Sequence, residues 1–428
     1  MSNNPPMHLG EKIRQLRAAK GLSQENLAFA TGKSKAHISR LERGDAEIDN
    51  KILVAIKKFL EIENAPLFEH ELEIYRERIW NWDELLHNKR MDEAKTMKEE
   101  LSIILDLPYE RELLMLYKMI EARMLSIEYD NPAVEERLNY VEGFLDEASN
   151  DVLYLYHRVK GALEFDRDNN KAFLKHCLLA LDYNNNELRP DVMLVLNIGV
   201  AYARTGRLLN AIRYFERFMR EYRGDRTHMA LLHVEKNLAT SFMILGEFNE
   251  AKKLFETALV KARNLNNDIW IGGALISMGQ IHHRTGNYKT AIELYDDSLE
   301  YFHESKMHHV SALVLKAECL IALNDYRASE DILDQAKALA GDNEELILSV
   351  EATGHMMTLY NKQSTDYLES VALPYYIKGG LLHLDTAIRL CDKLEAQYRK
   401  RGANKKAEAI VAISRDIYKG ICGVGDFD

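Results

Sequence analysis

Three stretches of this chain repeat one another without a gap at intervals of 40 residues. The segment from Leu196 to Gly206 (LNIGVAYARTG), followed by Ala211 and Phe215, aligns with Lys236 to Gly246 (KNLATSFMILG), followed by Ala251 and Phe255. Both align with Ile276 to Gly286 (ISMGQIHHRTG), followed by Ala291 and Tyr295. A fourth copy carries Asn324 where the others carry glycine, 38 residues on, then Ser329, Leu333 and Ala336. Self-similarity of this period marks a unit too small to bury its own apolar face, which stacks on its neighbours to make a continuous core. From Phe68 onward the pattern is helical almost throughout, and only 7 prolines and 22 glycines interrupt 428 residues. That length exceeds what one hydrophobic core serves, so more than one structural unit is expected.

The repeated segments resemble the tetratricopeptide repeat. The resemblance implies two antiparallel helices per unit, small residues where they approach, and an aromatic side chain filling the gap to the next unit. The family period is about 34 residues, so these units are several residues longer. Weaker copies read at Arg90–Leu101, Asn131–Ala148 and Asn169–Leu181, and the region beyond Leu346 is expected to cap an array of eight or nine helix pairs. Such an array presents a concave surface lined by the first helix of each pair. The columns expected to face inward supply candidate peptide-binding residues: Arg158, Asn197, Val200, Arg204, Asn237, Thr240, Gln280, His283, Arg284 and Lys316. Successive asparagines offer both a donor and an acceptor to a peptide backbone, and the cations suit a carboxylate.

The first sixty residues differ in character. They hold 11 Lys/Arg against 6 Asp/Glu, whereas the rest of the chain holds 45 against 61. A basic end can meet phosphate while the acidic bulk stays away from it. Helices are expected from Leu9 to Lys20, from Ser23 to Gly32, from Lys35 to Arg43 and from Asn50 to Leu60. Ser23, Ser34 and Asp49 precede the later three, and Gly21, Gly32 and Gly44 end the first three. Two short helices joined by a tight turn make a helix-turn-helix. The run from Gly21 to Ala28 and the run from His37 to Gly44 are similar to the Cro/C1-type (XRE) family, over residues 8–62. The resemblance implies that Ala28 sits at the helix crossing and that Arg17 pairs with Glu42. It also makes the third helix the recognition helix. Lys35, Ala36, His37 and Arg40 are then expected at base edges, with Ser34 and Ser39 beside them and Gln24 on phosphate.

A Cro/C1-type head before long tetratricopeptide-like repeats resembles the cytosolic peptide-pheromone receptors of the Rap–Rgg–NprR–PlcR–PrgX (RRNPP) group, with length and repeat number nearest the NprR and PlcR branch. The resemblance implies an all-α chain. Its parts are a DNA-binding head (1–62), a linker (63–68) and a right-handed α-solenoid (69–428) that senses a peptide and oligomerises. It implies a cytoplasmic quorum-sensing transcription regulator with double-stranded DNA, a short linear peptide and a second copy of itself as partners, reading a palindromic operator. Two alternatives keep the fold. In one, the array binds a response regulator, as a sequestering or phosphatase-like protein acting through residues near Leu72–Leu105. In the other, the chain is a mobile-element repressor without a peptide ligand. A basic patch near Arg76–Arg90 would favour a protein partner. No enzyme activity, metal or cofactor is expected. Cys177, Cys319, Cys391 and Cys422 are far apart, His282–His283 and His308–His309 each point two ways, and no phosphate loop or nucleophile motif occurs. No apolar run is long enough to span a membrane.

Overall fold

The chain is described by a computed structural model that covers residues 7–184, 191–223, 229–302, 305–360, 365–378 and 381–422. Among these residues the regular elements are all helices. They fall into two compact units, Met1–Pro190 and Asp191–Asp428.

The first unit opens with α1 (Leu9–Ala19), α2 (Gln24–Thr31), α3 (Lys35–Arg43) and α4 (Asn50–Phe59). Polar side chains start the last three as the sequence requires. Ser23 and Ser34 each accept from the backbone N–H three residues on at 3.2 Å, and Asp49 does so at 2.8 Å. Each such cap satisfies an orphan donor of the first turn. Gly32 and Gly44 end α2 and α3 at φ 66° and 81°, a conformation that costs glycine little. Ile13, Leu16, Leu27, Ile38, Leu41 and Ile56 form the buried core of this head. The approach of α1 to α3 depends on Gly10, where a Cβ would lie 1.9 Å from the Leu41 carbonyl oxygen.

The segment between the head and the next helix is packed, not loose. Leu60, Ile62, Ala65 and Leu67 are buried. Four side chains grip its carbonyls: Tyr75 donates to Asn64 (3.1 Å), Lys57 to Ala65 (3.3 Å), Tyr109 to Pro66 (3.0 Å) and Lys12 to Leu67 (3.1 Å). The unit continues as helix pairs: α5 (Glu69–His87) with α6 (Met91–Leu101), α7 (Arg111–Ile127) with α8 (Asn131–Glu142), and α9 (Asn150–Asp166) with α10 (Asn170–Tyr183).

The second unit stacks four further pairs: α11 (Val192–Arg204) with α12 (Leu208–Glu221), α13 (Met229–Ile244) with α14 (Phe248–Asn264), α15 (Asp268–Arg284) with α16 (Tyr288–Leu299), and α17 (Lys306–Ala322) with α18 (Tyr326–Ala340). Then come α19 (Glu344–Tyr360), a π-turn over Leu368–Ala372, α20 (Leu373–Lys378), α21 (Leu381–Lys400) and α22 (Asn404–Ile421). The repeat copies have one geometry. Gly206, Gly246 and Gly286 turn each pair at φ 75°, 86° and 78°, and Asn324 does the same at 62°. In the first and third copies a glycine meets the aromatic of its own second helix: a Cβ at Gly199 would fall 2.6 Å from the Phe215 ring, and one at Gly279 2.5 Å from Tyr295.

α19 packs on α17 and α18 at the end of the array, where the sequence reading expected a cap, but the helices after it do not continue that cap. α21 folds back onto α11 and α13, and its Leu384, Ile388 and Leu394 share one core with Val195, Leu231, Val234 and Leu238. Apolar burial of this extent, about 25 cal/mol per Å², holds the C-terminal helices against the face that an open array would leave to solvent.

Candidate functional site

The head presents α3 by bracing it from behind. The Arg17 guanidinium spans both oxygens of Glu42, at 2.6 and 3.0 Å, and its third nitrogen donates to the Leu22 carbonyl at 2.6 Å. Glu42 is almost wholly buried, so this bidentate pair fixes α3 against α1 and the turn. Lys35, Ala36 and Arg40 are exposed on the opposite side, and His37 and Ser39 are half-buried. The Lys35 ammonium lies 2.6 Å from Glu25, with both side chains more than half exposed. An exposed pair of this kind contributes under about 1 kcal/mol, so Lys35 is readily released to a stronger anion.

The second unit contains a groove of about 420 Å³, within the size range of small-ligand sites, about 300–1,000 Å³. Helical spacing sets its walls. His233, Lys236 and Thr240 line it from α13, Trp270, Gly273, Ser277 and Gln280 from α15, and Met307, Ser311, Val314 and Glu318 from α17. Leu346 and Ser349 of α19, Tyr375 and Tyr376 of α20, and Asp385 and Thr386 of α21 close it. Its floor carries a buried charge network. Arg389 contacts Glu318 and lies 2.9 Å from Asp385, Asp385 also receives Arg284, and Lys393 stands 3.6 Å from Glu318. Burial alone would raise the Glu318 carboxyl, but Arg389, then Lys393 and His283, hold it down to about 2. His283, 4.0 Å from Glu318, is pushed to about 4 by burial and then by Arg389. It is therefore neutral at pH 7, and the network ties α21 to α15 and α17.

Residues 13–63 match the helix-turn-helix family, and residues 228–304 and 282–352 match tetratricopeptide repeat families. Over 70 residues the chain is 34% identical to the control protein C.BamHI of Bacillus amyloliquefaciens, a match spanning 86% of that protein and 16% of this chain. The chain is a helix-turn-helix regulator of the Cro/C1 (XRE) type. Beyond its head, this regulator shares the fold of the apo quorum sensor NprR from B. thuringiensis (TM-score 0.63, 19% identity, 81% of this chain and 99% of that one). It is similar also to a Rap protein complexed with competence and sporulation factor (TM-score 0.64, 16% identity, 82% and 100%). NprR in complex with its cognate peptide NprX gives a TM-score of 0.60 at 20% identity, over 80% of this chain and 98% of that one. The helix-turn-helix head and the tetratricopeptide repeats are thus matched by family, and these structures share the fold.

The structure sorts the sequence expectations for this regulator. In the head, Ser34 caps α3 as expected. Gln24, expected on phosphate, instead donates its amide to Glu42 at 2.8 Å, because the buried carboxylate has a lone pair to spare. The Nε2 of His37 is shielded from solvent and has no partner among the described residues, so that ring is turned inward. Of the peptide-binding candidates, Thr240 and Gln280 line the groove. Asn237 turns its amide onto the His233 carbonyl of its own helix at 2.9 Å. Val200 packs on the core shared with the C-terminal helices, and Arg284 and His283 belong to the buried network. Lys316 pairs with Asp296 at 2.5 Å. Arg158 sits in the first unit, near Asp83 (3.7 Å) and the Tyr154 hydroxyl (3.1 Å). Asn197 is exposed on α11, and neither it nor Arg204 lines the groove. For Val200, His283 and Arg284 the cause is that α21 lies where the open concave face was expected.

Sequence reasoning missed His233, Lys236 and Trp270, which the positions one or two turns before Thr240 and Ser277 could have suggested. It missed Tyr375, Tyr376 and Thr386 as well, for which no repeat pattern offered a signal. The patch near Arg76–Arg90 is neutralised in place. Arg76 pairs with Glu69 and Glu73, Arg78 with Glu100, and Arg90 with Glu93. No helix among the described residues is long and apolar enough to cross a membrane.

Proposed function

We propose that this chain is a peptide-responsive transcription regulator. Its head binds double-stranded DNA by placing α3 in the major groove, with Lys35 and Arg40 donating to guanine edges and Ala36 meeting a thymine methyl. Ser34, Ser39 and the first N–H groups of α2 lie beside the phosphates. The groove between α13, α15, α17 and the C-terminal helices takes a short linear peptide. NprR binds its peptide NprX and a Rap protein binds competence and sporulation factor; the same class of ligand suits this groove, which is mostly apolar with polar groups at intervals. The observation that carries this reading is a braced, solvent-facing recognition helix in one chain with a groove of ligand size. A homodimer reading a palindromic site follows from the two-fold geometry such heads use. The peptide acts through its different affinity for two arrangements of the protein.

The test is fluorescence anisotropy with DNA from upstream of the protein's own gene, with and without peptides encoded by neighbouring short reading frames. Tight binding that a peptide shifts supports the reading. Arg40→Ala and Lys35→Ala should each weaken operator binding at least tenfold with the fold intact. Unchanged DNA affinity in both variants would remove α3 as the recognition helix, and DNA binding that no peptide alters would remove the sensor.

A further inference from the structure

The one cation lining the groove stands apart from its carboxylates. Glu318 is paired with Arg389 and Asp385 with Arg284 and Arg389, while Glu345 has the Tyr375 hydroxyl and the His383 ring, at 3.6 Å, for partners. Lys236 is the single Lys or Arg among the described lining residues. No carboxylate of the described residues lies within ion-pair reach of its ammonium, which stands 5.2 Å over the Trp270 ring. Its neighbours offer no counter-charge, since His233 and His308 are both held neutral, by burial first and then by Lys236 itself. Burial alone pulls the Lys236 amine below its ordinary range. An unpaired ammonium in a low-dielectric pocket is costly. An aromatic face offsets part of that cost, and an incoming anion offsets more.

We infer that Lys236 is the anchor for a carboxylate of the ligand, so that the groove selects peptides presenting a free C-terminal carboxylate or an acidic side chain at the α13–Trp270 end. This rests on the peptide reading above and adds the charge and the docking point. Trp270 bounds the subsite and leaves one face of the ammonium for the ligand. Thr240, one turn along α13, and Gln280, on α15, offer hydroxyl and amide groups to the adjoining peptide units.

The experiment uses the full chain and three randomised heptapeptide libraries. The first is free-acid and lacks Asp and Glu, the second is C-terminally amidated and lacks Asp and Glu, and the third is amidated and contains them. Binding is read by thermal shift. In parallel, the Lys236 amine is followed by reductive methylation and mass spectrometry. The inference expects stabilisation, and at least fivefold slower methylation of Lys236, with the first library, the third or both, but not the second. The first library marks the C-terminal carboxylate as the source, and the third marks a side chain. Lys236→Met should lower the affinity of the winning library about tenfold; the methylation assay on the unaltered protein decides the matter if that variant folds poorly. Equal binding of the second library, or binding that leaves Lys236 methylation unchanged, overturns the anchor while leaving peptide binding standing. No binding by any library overturns both.

Discussion

Lys12 of α1 and Glu110, just before α7, form an ion pair at 3.2 Å with both side chains largely buried, and the same ammonium donates to the Leu67 carbonyl at 3.1 Å. Tyr109 lies under the ammonium, its ring centre 5.3 Å away. The head is thereby fastened to the helix pairs behind it. Lys12→Ala should cost about 3–5 kcal/mol, the range for removing one partner of a buried pair. Urea denaturation monitored with hydrogen exchange over α1 and residues 62–68 checks this. A loss below about 1 kcal/mol, with exchange unchanged, would show the head held by its apolar contacts alone.

Gly10 has no room for a methyl group. Its Cβ would meet the backbone oxygen of Leu41, which no rotamer change can move. Gly10→Ala should therefore separate α1 from α3 and strip DNA binding along with stability. A thermal melt of the full chain, followed by a fluorescent label at an exposed position of α3, should show a head transition at lower temperature. A melt like that of the parent protein would contradict the packing described.

The buried network is also open to test. Glu318→Ala leaves Arg389 buried beside Asp385 alone and should destabilise the second unit by about 3–5 kcal/mol. Arg284→Ala should act in the same direction, through Asp385, while sparing the groove wall. Chemical denaturation reads the loss. A variant of Arg284 that keeps full stability and loses peptide affinity would return that arginine to the ligand site.

Acid should weaken the fold in a defined window. His157 and His283 are both held near pKa 4, His157 by burial and then by His176, and His176, His233, His308 and His383 are lowered too, burial being the first cause in each. An unfolded histidine titrates near about 6.5. Between these values the unfolded chain binds more protons than the native one, so stability is present above about pH 6.5 and declines as pH falls toward about 4. Tm should drop steeply from pH 7 to pH 5, and less steeply in a His157→Gln, His283→Gln variant. Equal slopes would mean that these two rings do not carry the effect.

Much of the head was legible because its signals are local. Ser23, Ser34 and Asp49 cap helices wherever a helix follows, and Gly32 and Gly44 need only their own backbone angles. The strong repeats were legible for the same reason. The upstream turns were less plain, since Lys89, Tyr129 and Asp168 take the left-handed position at φ 57°, 61° and 56°, where the later copies use glycine or asparagine. The groove was the least legible part. Part of its wall comes from α19 to α21, which carry no repeat pattern. Arg284 meets Asp385 across 101 positions of sequence, a pairing that no local spacing announces. Reading the columns of a bare array therefore placed Arg284 at an open surface, whereas it pairs with Asp385 of α21 in the buried network.

The placement of α20 and α21 in the groove wall bears on how the protein comes into being. Chains are made from the N-terminus at about 5–20 residues per second and fold by units as they emerge. Lys35, Ala36 and Arg40, the proposed DNA contacts, emerge early, whereas the groove is complete only once Thr386 has been made. A chain lacking everything after α18 would keep Lys35 and Arg40 and lose the side of the groove that α19 to α21 build.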